Sequence, residues 1–249
     1  MNDHELAAYV AERAGALLLA VRAEAVAEGV DEAELKSRGD SRSNDLILEL
    51  LAEHRPNDAV LSEESKDDLA RLHAERVWIV DPVDGTREYS ESRSDWAVHV
   101  ALVSAGAPIA AAVALPGMGR VLNMVPVESI AAAHHGPVRL VVSRTRPPAL
   151  ATYLAESQGM DLVPMGSAGA KAMSVLLGDS DVYAHGGGQY EWDSCAPVGV
   201  ALGAGLHCSR LDGSPLVYNN ENPYLPDLLI CRPELAEPML AAIAAAPTS

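Results

Sequence analysis

The chain has 249 residues, 49% of them apolar, enough for one large domain or two small ones sharing an interface. A formal net charge of −17 repels the phosphate backbone of nucleic acids, and no apolar run of roughly 18 residues is present to span a bilayer. Aromatic residues make up 4% and Phe is absent, so Ala, Val and Leu must fill the core.

The opening stretch, MNDHELAAYVAERAG, is acidic and amphipathic, unlike a secretory signal. Leu6, Val10, Leu17, Leu18 and Val21 recur near the helical period and predict a helix over 3–28. The polar run DEAELKSRGDSRSN (31–44) reads as a loop. DLILELLAEHRP reads as a second helix with Leu46, Ile47, Leu50 and Leu51 on one face, stopped at Pro56. Short strands follow at 59–62, 76–80, 96–103, 109–115 and 120–126. On the third of these Trp96, Val98, Val100 and Leu102 share a face, and His99 lies on the other.

Beyond 135–137 the pattern alternates: strand 138–144, helix 147–159, strand 161–166, helix 168–178, strand 180–186 and helix 195–205. HCSRLDGSPLVYN (207–219) reads as a two-stranded hairpin about Asp212-Gly213, before a last strand (227–233) and helix (234–246). This alternation predicts a layered α/β second half behind an α+β first half, with subdomains 1–137 and 138–249. Cys195, Cys208 and Cys231 have no metal-type spacing and are expected to be reduced core thiols of a cytoplasmic protein.

Five carboxylates punctuate these elements: Asp40, Glu63, Asp81, Asp84 and Asp193. Glu63 and Glu64 close AVLSEE and Asp81 closes VWIVD; if those strands are neighbours, Glu63 and Asp81 emerge at one sheet edge. Pro82, with no N–H to give, is expected to end the ladder and turn Asp84 back toward Asp81. Carboxylates gathered at one edge repel unless a cation sits among them. Oxygen donors with no adjoining His or Cys suit Mg²⁺ or Mn²⁺ better than Zn²⁺. Gly85 permits close backbone approach, and Thr86 can open a short helix whose N–H groups receive phosphate oxygens. Read alone, Asp81 to Thr86 is more often a capped turn than a site; the acidic pair 18 residues upstream tips the balance toward chemistry.

DPVDGT (81–86), LSEES (61–65) and WDSCAP (192–197), in that order, resemble the signatures of the inositol monophosphatase family of magnesium-dependent, lithium-sensitive phosphatases. DGTREY (84–89), LVVSRTRPP (140–148) and GSAGAKAMSVL (166–176) resemble in particular its CysQ-type 3′(2′),5′-bisphosphate nucleotidases. The resemblance implies an α/β fold, a layered α-β-α-β-α sandwich of the inositol monophosphatase/fructose-1,6-bisphosphatase type. It implies that Glu63, Asp81 and the Val83 carbonyl hold one metal, and that Asp81 bridges to a second completed by Asp84 and Asp193. The metal so implied is Mg²⁺, replaceable by Mn²⁺, with a weaker third ion expected at Glu63.

The same resemblance implies catalysis by Glu63, Thr86 and an upstream aspartate that orients the attacking water. Asp40, 23 residues before Glu63, is the candidate, and Asp45, inside the second helix, its competitor. Gly85 and Thr86 would bind the scissile phosphate. Ser143, Arg144, Ser167 and Lys171, with Asp193, would bind a second phosphate or ribose, although a surface cation also accounts for Arg144 and Lys171 and a plain helix cap for Ser167. The stretches 36–40 and 123–138 are shorter than is usual in the family, which bears on the third metal and on oligomer contacts. His134-His135 read as surface residues of a polar loop, the triglycine 186–188 as a loop, and His99 and Trp192 as structural.

The implied activity is removal of the 3′-phosphate from 3′-phosphoadenosine 5′-phosphate. Inositol 1-phosphate and fructose 1,6-bisphosphate are the alternatives on the same centre, and a nucleotide- or metal-sensing protein without turnover is the reading from another class. The expected partner is a small-molecule phosphate, not a nucleic-acid polymer or a membrane, and a homodimer is what the resemblance implies.

Overall fold

A computed structural model describes residues 1–145 and 147–247. Helix α1 spans Asp3–Glu28. Its start is a reciprocal cap: Asn2 Oδ1 accepts the Glu5 N–H and Glu5 Oε2 accepts the Asn2 N–H, both at 2.9 Å. Gly29 ends it in the left-handed region, at φ 69°.

The expected polar loop at 31–44 is instead the first half of a long helix, α2 (Glu32–His54). Asp31 caps it by accepting the Glu34 N–H at 2.9 Å. The helical period is present, but Gly39 and Ser43 occupy buried positions where apolar residues would have announced it. Gly39 is small for a reason: a Cβ there would lie 2.8 Å from the Tyr89 ring.

The next elements are β1 (Ala59–Ser62), β2 (Val77–Asp84), α3 (Thr86–Ser90), β3 (Ala97–Ser104), β4 (Ala107–Leu115) and β5 (Arg120–Asn123). They form one five-stranded sheet in the order β1-β2-β3-β4-β5. β1 runs parallel to β2 with Leu61 opposite Ile79, and the ladder extends through Glu63 N–H to Val80 O at 3.4 Å. The expectation that Pro82 ends β2 is corrected: the strand continues to Asp84. The register against β3 slips between the pairs Asp81–His99 and Asp84–Ala97. Pro82 sits in that irregularity, where a missing N–H breaks no ladder bond.

The second half supplies β6 (Arg139–Ser143), α4 (Ala149–Gln158), β7 (Asp161–Met165), α5 (Ala168–Leu177), β8 (Val182–His185), β9 (Gln189–Tyr190) and α6 (Glu191–Gly203). It ends with β10 (His207–Ser209), β11 (Tyr224–Leu225), β12 (Leu228–Cys231) and α7 (Ala236–Ala244). The second five-stranded sheet has the order β10-β12-β8-β6-β7, and β9 with β11 makes a separate two-stranded ribbon. The hairpin expected at 207–219 is corrected too. The turn at Asp212-Gly213 is present, with Gly213 N–H bonded to Arg210 O at 3.0 Å, but β10 pairs with β12. Helix α6 begins four residues earlier than expected, so Asp193 lies in its first turn and not before it.

Alternation along the strands sorts the core into layers. Trp78, Val80, Val98, Val100, Leu102 and Ala112 face α1 and α2. Ile79, Ala101, Val103 and Val113 face the opposite way, onto Ala172 and Met173 of α5 and Cys195 and Val198 of α6. Those two helices rest on Val141, Tyr183 and Ile230 of the second sheet. The far face of that sheet, including Leu140, Val182 and Leu229, packs on Leu154 of α4 and Met239 of α7. The result is the layered α-β-α-β-α sandwich. No helix among the described residues is long and apolar enough to cross a membrane.

Candidate active site

The parallel pairing of β1 and β2 brings Glu63 and Asp81 to the same sheet end, and the irregularity after Asp81 swings Asp84 beside it. From the far side, the first turn of α6 contributes Asp193. One carboxylate oxygen each from Asp81, Asp84 and Asp193 lie within 4.8 Å of one another. Asp81 and Asp84 are buried, Asp193 is half-buried, and Glu63 sits at the exposed mouth.

These groups strain against one another electrostatically. Burial, then repulsion from Glu63, Asp84 and Asp193, pushes the Asp81 carboxyl well above the usual range. Burial and the Asp84 charge raise Asp193 to about 6. Desolvation of the carboxyl, and Asp193 opposite, raise Glu63 to about 7, although the residue as a whole is exposed. Asp84 goes the other way. Burial alone would raise it, but the imidazole of His99, the Lys171 ammonium and the hydroxyl of Ser167 outweigh that and hold it well below.

Asp84 is held by the start of α5. Its Oδ1 accepts the Ala168 N–H at 3.0 Å, and its Oδ2 accepts the Gly169 N–H at 2.5 Å and the Ser167 hydroxyl. His99, on the face of β3 opposite Trp96 and Val98, lies between the two halves of the site. Its Nδ1 donates to the Trp192 carbonyl at 2.9 Å. Its Nε2 is 3.2 Å from Asp84 Oδ2, within ion-pair reach but off the line of a hydrogen bond. A side chain at Gly169 would come 2.1 Å from that Nε2.

Around this centre, Val83 N–H donates to Asp81 Oδ1 at 3.0 Å, and Ser43 of α2 donates to the Pro82 carbonyl at 2.8 Å. Asp40 lies three and four residues before Ser43 and Asn44, hence on the helix face that meets this sheet end. Burial, then the Glu64 charge, raises its carboxyl to about 7. Asp45, the competitor, is exposed. Both aspartates lie in α2, so the helix face separates them and not the helix boundary.

Gly85 has φ +88°, and a Cβ there would meet Ser167 Cβ at 3.0 Å and Glu88 Oε2 at 3.2 Å, so the turn into α3 requires glycine. Lys171 is buried, with its ammonium directed at the carbonyls of Ser167 and, at 3.4 Å, Gly166. Arg144 is engaged by Glu88 at 2.8 Å and Glu91 at 2.5 Å, and Ser143 lies beside it at the end of β6.

A model of the inositol monophosphatase family matches residues 3–246. The chain belongs to that family. The chain is 54% identical over 241 residues to the 3′-phosphoadenosine 5′-phosphate phosphatase of Mycobacterium bovis, covering 93% of this chain and 89% of that one. It is 29% identical over 198 residues to the 3′(2′),5′-bisphosphate nucleotidase CysQ of Escherichia coli, covering 75% and 80%. Among solved structures, the inositol monophosphatase of Anabaena superposes with a TM-score of 0.79 at 21% identity, covering 98% of this chain and 96% of that one.

Sequence reading missed the residues that brace this family's signature motifs here. Asn44 accepts from Ser62 at 2.7 Å and donates to Ser65 at 3.3 Å, fixing the turn that carries Glu63. Asp95 accepts the Gly166 N–H at 2.6 Å, and Glu88 lies buried against Arg144. Their signal was weak, because single polar residues next to strands also occur at any solvated loop.

Proposed function

We propose that this protein is a Mg²⁺-dependent phosphomonoesterase that removes the 3′-phosphate of 3′-phosphoadenosine 5′-phosphate, leaving AMP and phosphate. The 54% identity to a phosphatase bearing that substrate's name carries the reading, together with the acidic cluster at the family's motifs. The donor set fits a hard divalent cation. It is all oxygen, largely buried, and two of its three clustered carboxyls are raised by burial and then by mutual repulsion, which a cation would relieve.

Glu63, Asp81, the Val83 carbonyl, Asp84 and Asp193 are the residues to hold two ions, with Mn²⁺ as a substitute. When bound, such ions screen the phosphate dianion, acidify water and neutralise the leaving alkoxide. The chain's own groups do the rest. Gly85 and Thr86 orient the scissile phosphate through backbone N–H and hydroxyl. Asp40, with its carboxyl near 7, is suited to take a proton from the attacking water at neutral pH, with Thr86 Oγ1 orienting that water. Ser143, Arg144, Ser167 and Lys171 serve the ribose and second phosphate. Arg144 must then exchange its carboxylate partners for the substrate. The α5 donors Ala168 N–H and Gly169 N–H serve Asp84.

The reading extends to a cytoplasmic enzyme, inhibited by lithium at fixed Mg²⁺ and active as a homodimer. A phosphate-release panel over 3′-phosphoadenosine 5′-phosphate, inositol 1-phosphate and fructose 1,6-bisphosphate, with and without Mg²⁺, tests it. A large preference for either sugar phosphate would overturn the substrate, and turnover that survives Asp84→Asn would overturn the site.

A further inference from the structure

The chain has three Trp and seven Tyr, and half of them, Trp78, Trp96, Tyr89, Tyr183 and Tyr218, are buried. Two stand out. Among the described residues Tyr190 and Tyr224 are the exposed members of this set, at 46% and 49%, and they stand together. They are cross-strand partners on β9 and β11, rings edge to face at 5.9 Å. Tyr190 also lies flat on Trp192, with centroids 4.8 Å apart and planes 6° from parallel. Three rings thus form one ledge, part of it open to solvent.

The ledge adjoins the reacting centre and is rigidly mounted. The Tyr190 N–H donates to Asp193 Oδ2 at 2.7 Å, so the exposed ring begins one turn from a clustered carboxylate. The Trp192 carbonyl is held by His99. Glu191, buried between the two rings in sequence, accepts the N–H groups of Asn219 at 2.6 Å and Asn220 at 2.8 Å. The triglycine upstream also has a purpose: at Gly188, φ +79°, a Cβ would come 2.5 Å from the Tyr224 hydroxyl.

We propose that the Tyr190–Trp192 stack is the platform for the planar base of a nucleotide substrate, and that Tyr190 is thereby a specificity-determining residue. The proposal rests on the nucleotide reading above and names the group that selects for it. A π-face binds any base by stacking, whereas a polyol phosphate has no π-face to stack in return. In a chain of net charge −17, a neutral platform adds affinity for an anionic nucleotide without another cation.

Kinetics on 3′-phosphoadenosine 5′-phosphate and on inositol 1-phosphate, with Mg²⁺, test it in Tyr190→Ala, Tyr190→Leu and Tyr190→Phe, alongside AMP binding by titration calorimetry and melting curves. Tyr190→Ala and Tyr190→Leu should each lower the nucleotide-to-polyol ratio of kcat/KM about tenfold to hundredfold, through KM, and weaken AMP to match. Tyr190→Phe should stay close to wild type. If the ratio and AMP binding hold in Tyr190→Leu, which keeps apolar volume without a π-face, the stack is a structural prop and the proposal fails alone. A wild-type protein that hydrolyses inositol 1-phosphate but not the nucleotide would remove the nucleotide reading and this proposal with it.

Discussion

Replacing Asp193 by Asn should make the metal-free protein more stable at pH 8 while abolishing phosphate release. Asp193 rises from 3.8 to about 6 because it is buried beside Asp84. A carboxyl raised on folding contributes stability that is present below its unfolded value and lost as pH rises through the folded one. At pH 8 the wild-type folded state therefore carries the full repulsion. Two pKa units correspond to roughly 3 kcal/mol. The side chain keeps some solvent contact, and screening reduces this to about 1–2 kcal/mol. Asn retains an amide oxygen for the Tyr190 N–H, so that bond need not be lost. For a chain of this size the gain is about 2–8 °C in Tm. Melting curves in EDTA at pH 5 and pH 8 would measure it. Roughly half of the gain is expected at pH 5, where the folded carboxyl is mostly protonated but the unfolded one is already ionised, and saturating Mg²⁺ should reverse the ranking at pH 8 because the variant has lost a ligand. A metal-free Asp193→Asn that melts below wild type at pH 8 would refute the claim that the cluster is electrostatically strained.

Gly169→Ala would drive a Cβ to 2.1 Å from His99 Nε2 and should destabilise the fold by about 1–3 kcal/mol in urea unfolding; a neutral result would mean that the ring moves freely. Tyr89→Phe removes the buried hydroxyl that donates to Leu18 O at 2.9 Å and should cost about 1 kcal/mol by the same assay, with turnover retained. Lys171→Ala should raise KM for a bisphosphate nucleotide far more than for a monophosphate; equal effects would remove Lys171 from the second-phosphate role.

Much of the architecture was legible because apolar periodicity survives in one dimension. The stripe of Leu6, Val10, Leu18 and Val21 marked α1, and the alternation Val98, Val100, Leu102 marked β3 together with the opposite facing of His99. Legibility failed where tertiary contact replaced an apolar residue by a small or polar one. Gly39, emptied for the Tyr89 ring, and Ser43, turned to the Pro82 carbonyl, disguised the first half of α2 as a loop. Pro82 looked like a strand terminator because the local rule is sound, yet the irregular register opposite β3 left it no ladder bond to break. β10 looked like half of a hairpin because a good turn follows it, but its partner, β12, lies some twenty residues on.

The sequence by itself determined which residues carry oxygen donors and in what order, since chemistry resides in side-chain identity and motif spacing. Only the tertiary structure decided that Asp193, 109 residues beyond Asp84, meets it, and that the donors opening α5 turn toward Asp84. Such meetings depend on two sheets closing on α5 and α6 from opposite sides, and no local pattern encodes a distance across that interface.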